Sequence, residues 1–303
     1  MGVDIGGTHI TCALVDLQQG HLVPQSRTRV RIQHTESAPY IFERWAEAMH
    51  KTLSKRQGSP ILGIGFAIPG PFDYRNGVSN MAHKFSALQG LHIPTHLQAL
   101  LQTAAPLPMR FLNDAAAFAI GESWVGEGKG HQKVVVVTLG TGFGSAFTAG
   151  GIPIVTGESV PKEGCLWHLP YGGSIADDHF STRWFVGEYL KRAGKSIAGV
   201  KELSEKAADS REIKAIFDLY GQNLAQFLAE PLQRFEAEVL VIGGNISHAL
   251  PLFQETFQQG LKQANISVKV AVSTLKEKAA LLGSARLLDD SFWAKVSREL
   301  PNV

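Results

Sequence analysis

Apolar residues in this chain fall in short dense runs separated by glycine- and proline-marked turns, and the period within each run assigns it to strand or helix. Gly2-Val3-Asp4-Ile5 and Ile10-Thr11-Cys12-Ala13-Leu14-Val15 predict two strands joined through Gly6-Gly7-Thr8-His9. A third strand is expected near Arg27 to Ile32. Ser37 can cap a helix running to about Arg56, because Ile41, Phe42, Trp45, Ala48, Met49 and Leu53 recur every three or four residues. The almost wholly apolar run from Ile61 to Ile68 predicts a strand buried on both faces, stopped by Pro69-Gly70-Pro71. A helix near Thr95 to Gln102, a strand at Met109 to Leu112 and an alanine-rich helix from Ala115 to Ser123 follow, with Asn113-Asp114 at the last junction.

The second half opens in the same way. Val134 to Leu139 predicts a buried strand, Gly140-Thr141-Gly142-Phe143-Gly144 a turn, and Ser145 to Ala149 a returning strand. Helical periodicity dominates from Asp177 to Phe235. Val239 to Ile242 is one more buried strand, ended by Gly243-Gly244-Asn245, and a strand near Val268 to Val272 and a helix from about Lys276 to Leu288 complete the pattern. The recurrence of strand, glycine turn and strand predicts an internally duplicated α/β architecture with a cleft between its halves. At ~150 residues per domain, the 303 residues also suggest two domains.

Composition narrows the function classes. Net charge is +2 and only 18% of residues are charged, so no strong field exists for a phosphate backbone or an anionic membrane. The basic run from Arg27 to Arg31 alternates with Thr28 and Val30 and reads as a strand with one solvated face. The longest apolar stretches fall far short of the ~20 residues of a spanning helix, and the N-terminus has no secretory pattern, which gives a cytoplasmic expectation. Cys12 and Cys165 are the only cysteines, excluding a Cys-rich zinc site. His83, His92, His96 and His131 lack metal-ligand spacing and read as solvent-facing or structural.

The glycines carry the candidate chemistry. Glycine at a strand-to-strand turn permits positive φ and leaves backbone N–H groups unobstructed, so phosphates can approach them. For Gly6-Gly7-Thr8 alone an ordinary hairpin fits equally well; a second such turn about 130 residues later favours a pair that grips one polyphosphate. The dinucleotide fingerprint is excluded at Gly140, Gly142 and Gly144 because a strand-like segment follows where a helix must open, and the Walker loop fails at Gly6-Gly7-Thr8-His9 for want of Gly-Lys-Ser/Thr. Asp4, beside the first turn, can hold Mg²⁺ through water or cap the turn; the metal role is preferred. Asp114, at a strand's C-terminal end, can accept a proton during phosphoryl transfer, cap the helix that follows, or do both.

Taken in order, Asp4-Ile5-Gly6-Gly7-Thr8, Pro69-Gly70-Pro71, Asn113-Asp114, Gly140-Thr141-Gly142-Phe143-Gly144, Gly151 and Gly243-Gly244-Asn245 resemble the ROK (repressor, open reading frame, kinase) family of sugar kinases over nearly the whole chain. The resemblance implies two ribonuclease-H-like domains of the actin-like ATPase superfamily flanking a cleft. The boundaries expected here are 1–113 with the C-terminal segment 276–303, and 114–275.

It further implies ATP and Mg²⁺ as cofactors, Gly6, Gly7 and Thr8 as the first phosphate loop, Gly140, Thr141 and Gly142 as the second, and Gly243 and Gly244 as the adenosine-side turn. Asp114 would be the general base toward a sugar hydroxyl, commonly the 6-hydroxyl, and Asn113 would bind a neighbouring hydroxyl. Glu163, His168 and Asp177 stand nearest to the family's other sugar contacts, although His168 follows Glu163 by five residues instead of three. The family's cysteine-rich zinc motif is missing between 164 and 178, so no zinc is expected and packing of Leu166, Trp167 and Tyr171 should hold that loop. His83-Lys84-Phe85 would border the sugar pocket. Glucose is the first expectation for the sugar, with mannose, fructose and N-acyl amino sugars as alternatives; the resemblance also allows a homodimer. A sugar-binding sensor or regulator is the competing reading, but regulators of the family carry a DNA-binding domain ahead of the first strand, for which Gly2 leaves no room.

Overall fold

A computed structural model describes residues 1–56, 58 and 60–300. The last three residues of the expected C-terminal segment 276–303 lie outside the described residues. The chain forms two compact units, Met1–Lys129 with Glu277–Val303, and Gly130–Lys276. Each is built on a five-stranded sheet.

In the first unit, β1 (Gly2–Ile5), β2 (His9–Ala13), β3 (Thr28–Arg31), β4 (Ile64–Ile68) and β5 (Met109–Asn113) lie in the order β3-β2-β1-β4-β5. In the second, β6 (Lys133–Leu139), β7 (Phe143–Ala149), β8 (Ile152–Pro153), β9 (Val239–Gly243) and β10 (Lys269–Val272) lie in the order β8-β7-β6-β9-β10. The two orders are one order repeated. In both sheets the first three strands pair antiparallel and the last two join in parallel, and the first hairpin of each carries a glycine turn. The duplication expected from the sequence is therefore present at the level of topology.

Alternation along β1 separates its two faces. Val3 and Ile5 point with Ile10 and Cys12 of β2 into a core closed by Ile41, Phe42, Trp45 and Met49 from the helix Ala38–Leu53. Trp45 and Met49 are fully buried, and each such side chain contributes roughly 1.5–3 kcal/mol. Gly2 and Asp4 occupy the other face, against the helix Lys278–Arg286. A Cβ at Gly65 would lie 1.8 Å from the Ser284 carbonyl oxygen, so glycine is what lets that helix settle directly on the sheet.

The same logic corrects the expected domain boundary. The helix Asp114–Val125 packs backbone to backbone on Lys278–Arg286, where a Cβ at Gly283 would meet the Ala117 carbonyl oxygen at 1.8 Å. Helices that close cannot belong to separate bodies, so the boundary falls after Lys129 instead of after Asn113.

The second unit buries Val135, Val137, Leu139 and Phe147 against the long helix Arg211–Phe235, capped by Ser210. Leu166 is buried and Tyr171 packs on Phe180 and Phe227, as expected for a loop held by packing. Trp167 is not part of that packing: it is 48% exposed, touching His168 edge-on. Among the described residues no helix is long and apolar enough to cross a membrane, and no group of three His, Cys, Asp or Glu side chains is arranged to hold a metal ion.

Candidate active site

The first glycine turn connects β1 to β2. Gly6 N–H closes it by donating to His9 O at 2.9 Å, and Ile32 N–H donates to Thr8 O at 2.9 Å, so the turn is anchored from both sides. Among the described residues the N–H groups of Gly7 and Thr8 have no acceptor, which leaves two backbone donors for an anion. The Thr8 hydroxyl lies 2.8 Å from His9 Nδ1. His9 shares its face of the sheet with Arg31, its partner across the strands, and with Arg29 two pairs further on. Partial burial first, and then these two arginines, hold the His9 imidazole below its ordinary range.

Asp4 stands on this face, paired across the strands with Thr11. Burial, followed by the charges of Asp114 and Glu277, pushes its carboxyl up to about 7, while Arg29, itself paired with Glu277 at 3.2 Å, pulls it down. A buried carboxyl whose proton affinity is raised further by two neighbouring carboxylates, Asp114 and Glu277, is one that a divalent cation would relieve. The residues present therefore fit Mg²⁺ at Asp4.

Asn113 and Asp114 end β5 and begin the next helix, and the structure divides the roles that the sequence left open. The cap is Asn113, whose Oδ1 accepts from Ala115 N–H at 3.0 Å and Ala116 N–H at 3.3 Å. With that oxygen committed, Nδ2 turns toward the Tyr74 hydroxyl at 3.4 Å, and Tyr74 donates to Ile68 O at 3.3 Å. Tyr74 thus links the cap to the Pro69-Gly70-Pro71 turn at the end of β4. It was missed from sequence, where its only signal is that it follows that turn.

Asp114 is half-buried, with one oxygen sharing the Ala115 N–H with the cap at 2.9 Å. Burial raises its carboxyl above the ordinary range; the Ala115 N–H and the charge of Lys84 act against that rise. Lys84 is exposed, whereas its neighbour Phe85 is fully buried in the left-handed region (φ 52°) with its ring against Trp45 and His34.

In the second unit the turn between β6 and β7 is closed by Gly140 N–H donating to Gly142 O at 3.0 Å. Thr141 and Gly142 N–H have no acceptor among the described residues, and space around Gly140 is open. Thr182, at the start of the helix Thr182–Ala193, holds the Gly140 carbonyl with its N–H at 2.8 Å and its hydroxyl at 3.0 Å. The Gly243–Gly244 turn at the end of β9 lies against the same strand end. Gly244 has φ 80° and a Cβ there would sit 2.3 Å from Leu139 O, so the two turns adjoin only because this residue is glycine.

Glu163, His168 and Asp177 sit in three different settings. Glu163 is exposed in the turn Lys162–Gly164 at φ 59°. His168 is half-buried beside Trp167. Asp177, expected among the sugar contacts, is engaged elsewhere: Oδ1 accepts from Phe143 N–H at 2.6 Å, beside the second turn, and Oδ2 pairs with Arg183. Thr182 and Arg183 carried no sequence signal, since what they hold is backbone and a carboxylate distant in the chain.

Comparison with known proteins agrees with this duplicated, glycine-turned architecture. Residues 1–172 match the ROK family. The glucokinase of Streptomyces coelicolor is 32% identical over 320 residues, covering 95% of this chain and 96% of that protein; the glucokinase of Thermotoga maritima is 25% identical, covering 96% and 97%. The crystal structure of a ROK family glucokinase from Streptomyces griseus in complex with glucose and AMPPNP shares the fold with a TM-score of 0.75 at 23% identity, covering 94% of this chain and 97% of that one. The fold is thus that of two-domain sugar kinases. The chain belongs to the ROK family.

Proposed function

We propose that this protein transfers the γ-phosphoryl group of ATP to a sugar hydroxyl, the 6-hydroxyl of a hexose such as glucose. The observation that carries the reading is Asp114: a half-buried carboxylate of raised proton affinity at the end of β5, beside the capping Asn113, in the same unit as a turn with two unused backbone donors. Asp114 would accept the hydroxyl proton as the oxygen attacks, and Asn113 would fix the sugar through its amide. Phosphoryl transfer needs little covalent chemistry from the protein; alignment and charge stabilisation supply most of the acceleration.

Gly6, Gly7 and Thr8 would be one turn for nucleotide phosphates and Gly140, Thr141 and Gly142 another, with Gly243 and Gly244 on the adenosine side. Mg²⁺, held by Asp4 through water, would neutralise phosphate charge. Glu163 and His168 are the second unit's candidates for sugar hydroxyls.

The test is ADP release across a panel of hexoses and N-acetylhexosamines. Release that depends on one or a few sugars supports the reading; sugar binding without ADP release would indicate a sugar-binding regulator. Tyr74 gives a finer check. Tyr74→Phe removes the hydroxyl that orients the Asn113 amide, so sugar KM should rise about three- to tenfold while kcat stays within about twofold. Steady-state kinetics at saturating ATP reads this, and an unchanged KM would detach Tyr74 from the acceptor site.

A further inference from the structure

The segment carrying His168 is hooked onto β7 at two points. Before His168, Leu166 N–H donates to Ser145 Oγ at 2.8 Å. After it, Asp177 N–H donates to Trp167 O at 3.0 Å, while the Asp177 carboxylate accepts from Phe143 N–H at 2.6 Å. Phe143 is the residue that follows the second glycine turn. A Cβ at Gly142 would stand 3.1 Å from Asp177 Oδ1, so a side chain there would press on the carboxylate while this contact is made. Arg183 fixes the carboxylate from the other side, pairing with Oδ2 and donating to Asp177 O at 3.2 Å. The adjacent Thr182 holds Gly140 O.

We infer that Asp177 is a positioning residue that ties the second phosphate turn to the His168 segment and thereby couples nucleotide binding to sugar binding. The inference rests on the kinase reading above. A carboxylate whose two oxygens already serve a backbone amide and a guanidinium is poorly placed to become a sugar ligand. It is well placed to transmit order. When phosphate fills the turn, the Thr141 and Gly142 amides become fixed, and Phe143 and Asp177 with them. Trp167 O is then fixed through Asp177 N–H, next to His168. Order supplied by one ligand need not be supplied again by the other, which is positive coupling within the chain's own hydrogen bonds.

The experiment is calorimetric titration of AMPPNP into the protein alone and after saturation with glucose, or with the panel hexose of fastest turnover where that is another sugar. In the parent, sugar should tighten AMPPNP binding at least about fivefold. Asp177→Ala should weaken AMPPNP binding about tenfold without sugar and abolish the enhancement, while sugar affinity without nucleotide stays within about twofold. Asp177→Asn keeps an acceptor for Phe143 and should recover most of the nucleotide affinity. Arg183→Gln leaves the Phe143 contact in place and should lose part of the enhancement, and it serves where Asp177→Ala fails to fold.

Loss of sugar affinity in the absence of nucleotide, with AMPPNP binding intact, would make Asp177 a sugar ligand and overturn the inference. So would a parent in which sugar leaves AMPPNP affinity unchanged. A parent that binds no AMPPNP would overturn the kinase reading itself.

Discussion

Asp114→Asn is expected to lower kcat by about 10³-fold while changing sugar KM by less than about threefold. The amide has the carboxylate's shape and keeps an oxygen for the Ala115 N–H, but its other arm donates and cannot take a proton. Misfolding would not account for the loss. Burial raises the Asp114 carboxyl, so the folded state disfavours the charge, and a neutral amide should fold at least as well. The pH profile carries a second signature. Activity requires the ionised form, so it should fall as pH drops through the raised proton affinity of Asp114, and the acid limb should lie above the ~4 of a solvated aspartate. Stopped or steady-state assays of both proteins check this; a variant working at the parent's rate would remove Asp114 from the reaction.

Asp4→Asn should separate stability from activity in opposite directions. The Asp4 carboxyl is pushed up to about 7, chiefly by burial and then by Asp114. Between pH ~4 and ~7 the folded chain therefore holds this proton more tightly than the unfolded chain does, so the group's contribution to stability declines as pH rises through that window and is level above it. The asparagine variant escapes this decline. Its advantage should be nil near pH ~4 and reach on the order of 2–4 kcal/mol above pH ~7, visible as a higher melting temperature at high pH only. Turnover should nevertheless fall about 10- to 100-fold, as for loss of a group that orders a bound metal through water. Thermal melts at several pH values and kinetics on the same samples test both halves; equal melting at every pH would refute the Asp4 assignment.

The elements that were legible in sequence are those whose information is local. The two glycine hairpins stand out because dense apolar runs bracket residues that only a turn uses, and the amphipathic helix Ala38–Leu53 displays its buried face at 41, 42, 45, 48 and 49. The boundary after Lys129 was not legible. The alanine-rich helix declares that something packs closely on it, but the partner, with Gly283 at the contact, lies near the far end of the chain. Asn113 and Asp114 are both favoured caps, so only the hydrogen bonds could assign the cap to one and leave the other for chemistry.

Asp177 illustrates a different limit. The family resemblance implies a sugar contact for it, yet its carboxylate accepts from the Phe143 backbone N–H, and no side-chain pattern encodes a backbone donor. Trp167 fails for a related reason: an aromatic in a loop suggests packing, but the loop is already held by Leu166 and Tyr171, leaving the indole at the surface.

Phosphorus NMR of the protein with ATP, Mg²⁺ and the preferred hexose addresses the kinase assignment most directly. The expected spectrum shows a sugar phosphate ester growing in step with ADP, with neither product formed at a comparable rate by Asp114→Asn. ADP accompanied only by inorganic phosphate, or an ester formed equally well by the variant, would contradict it.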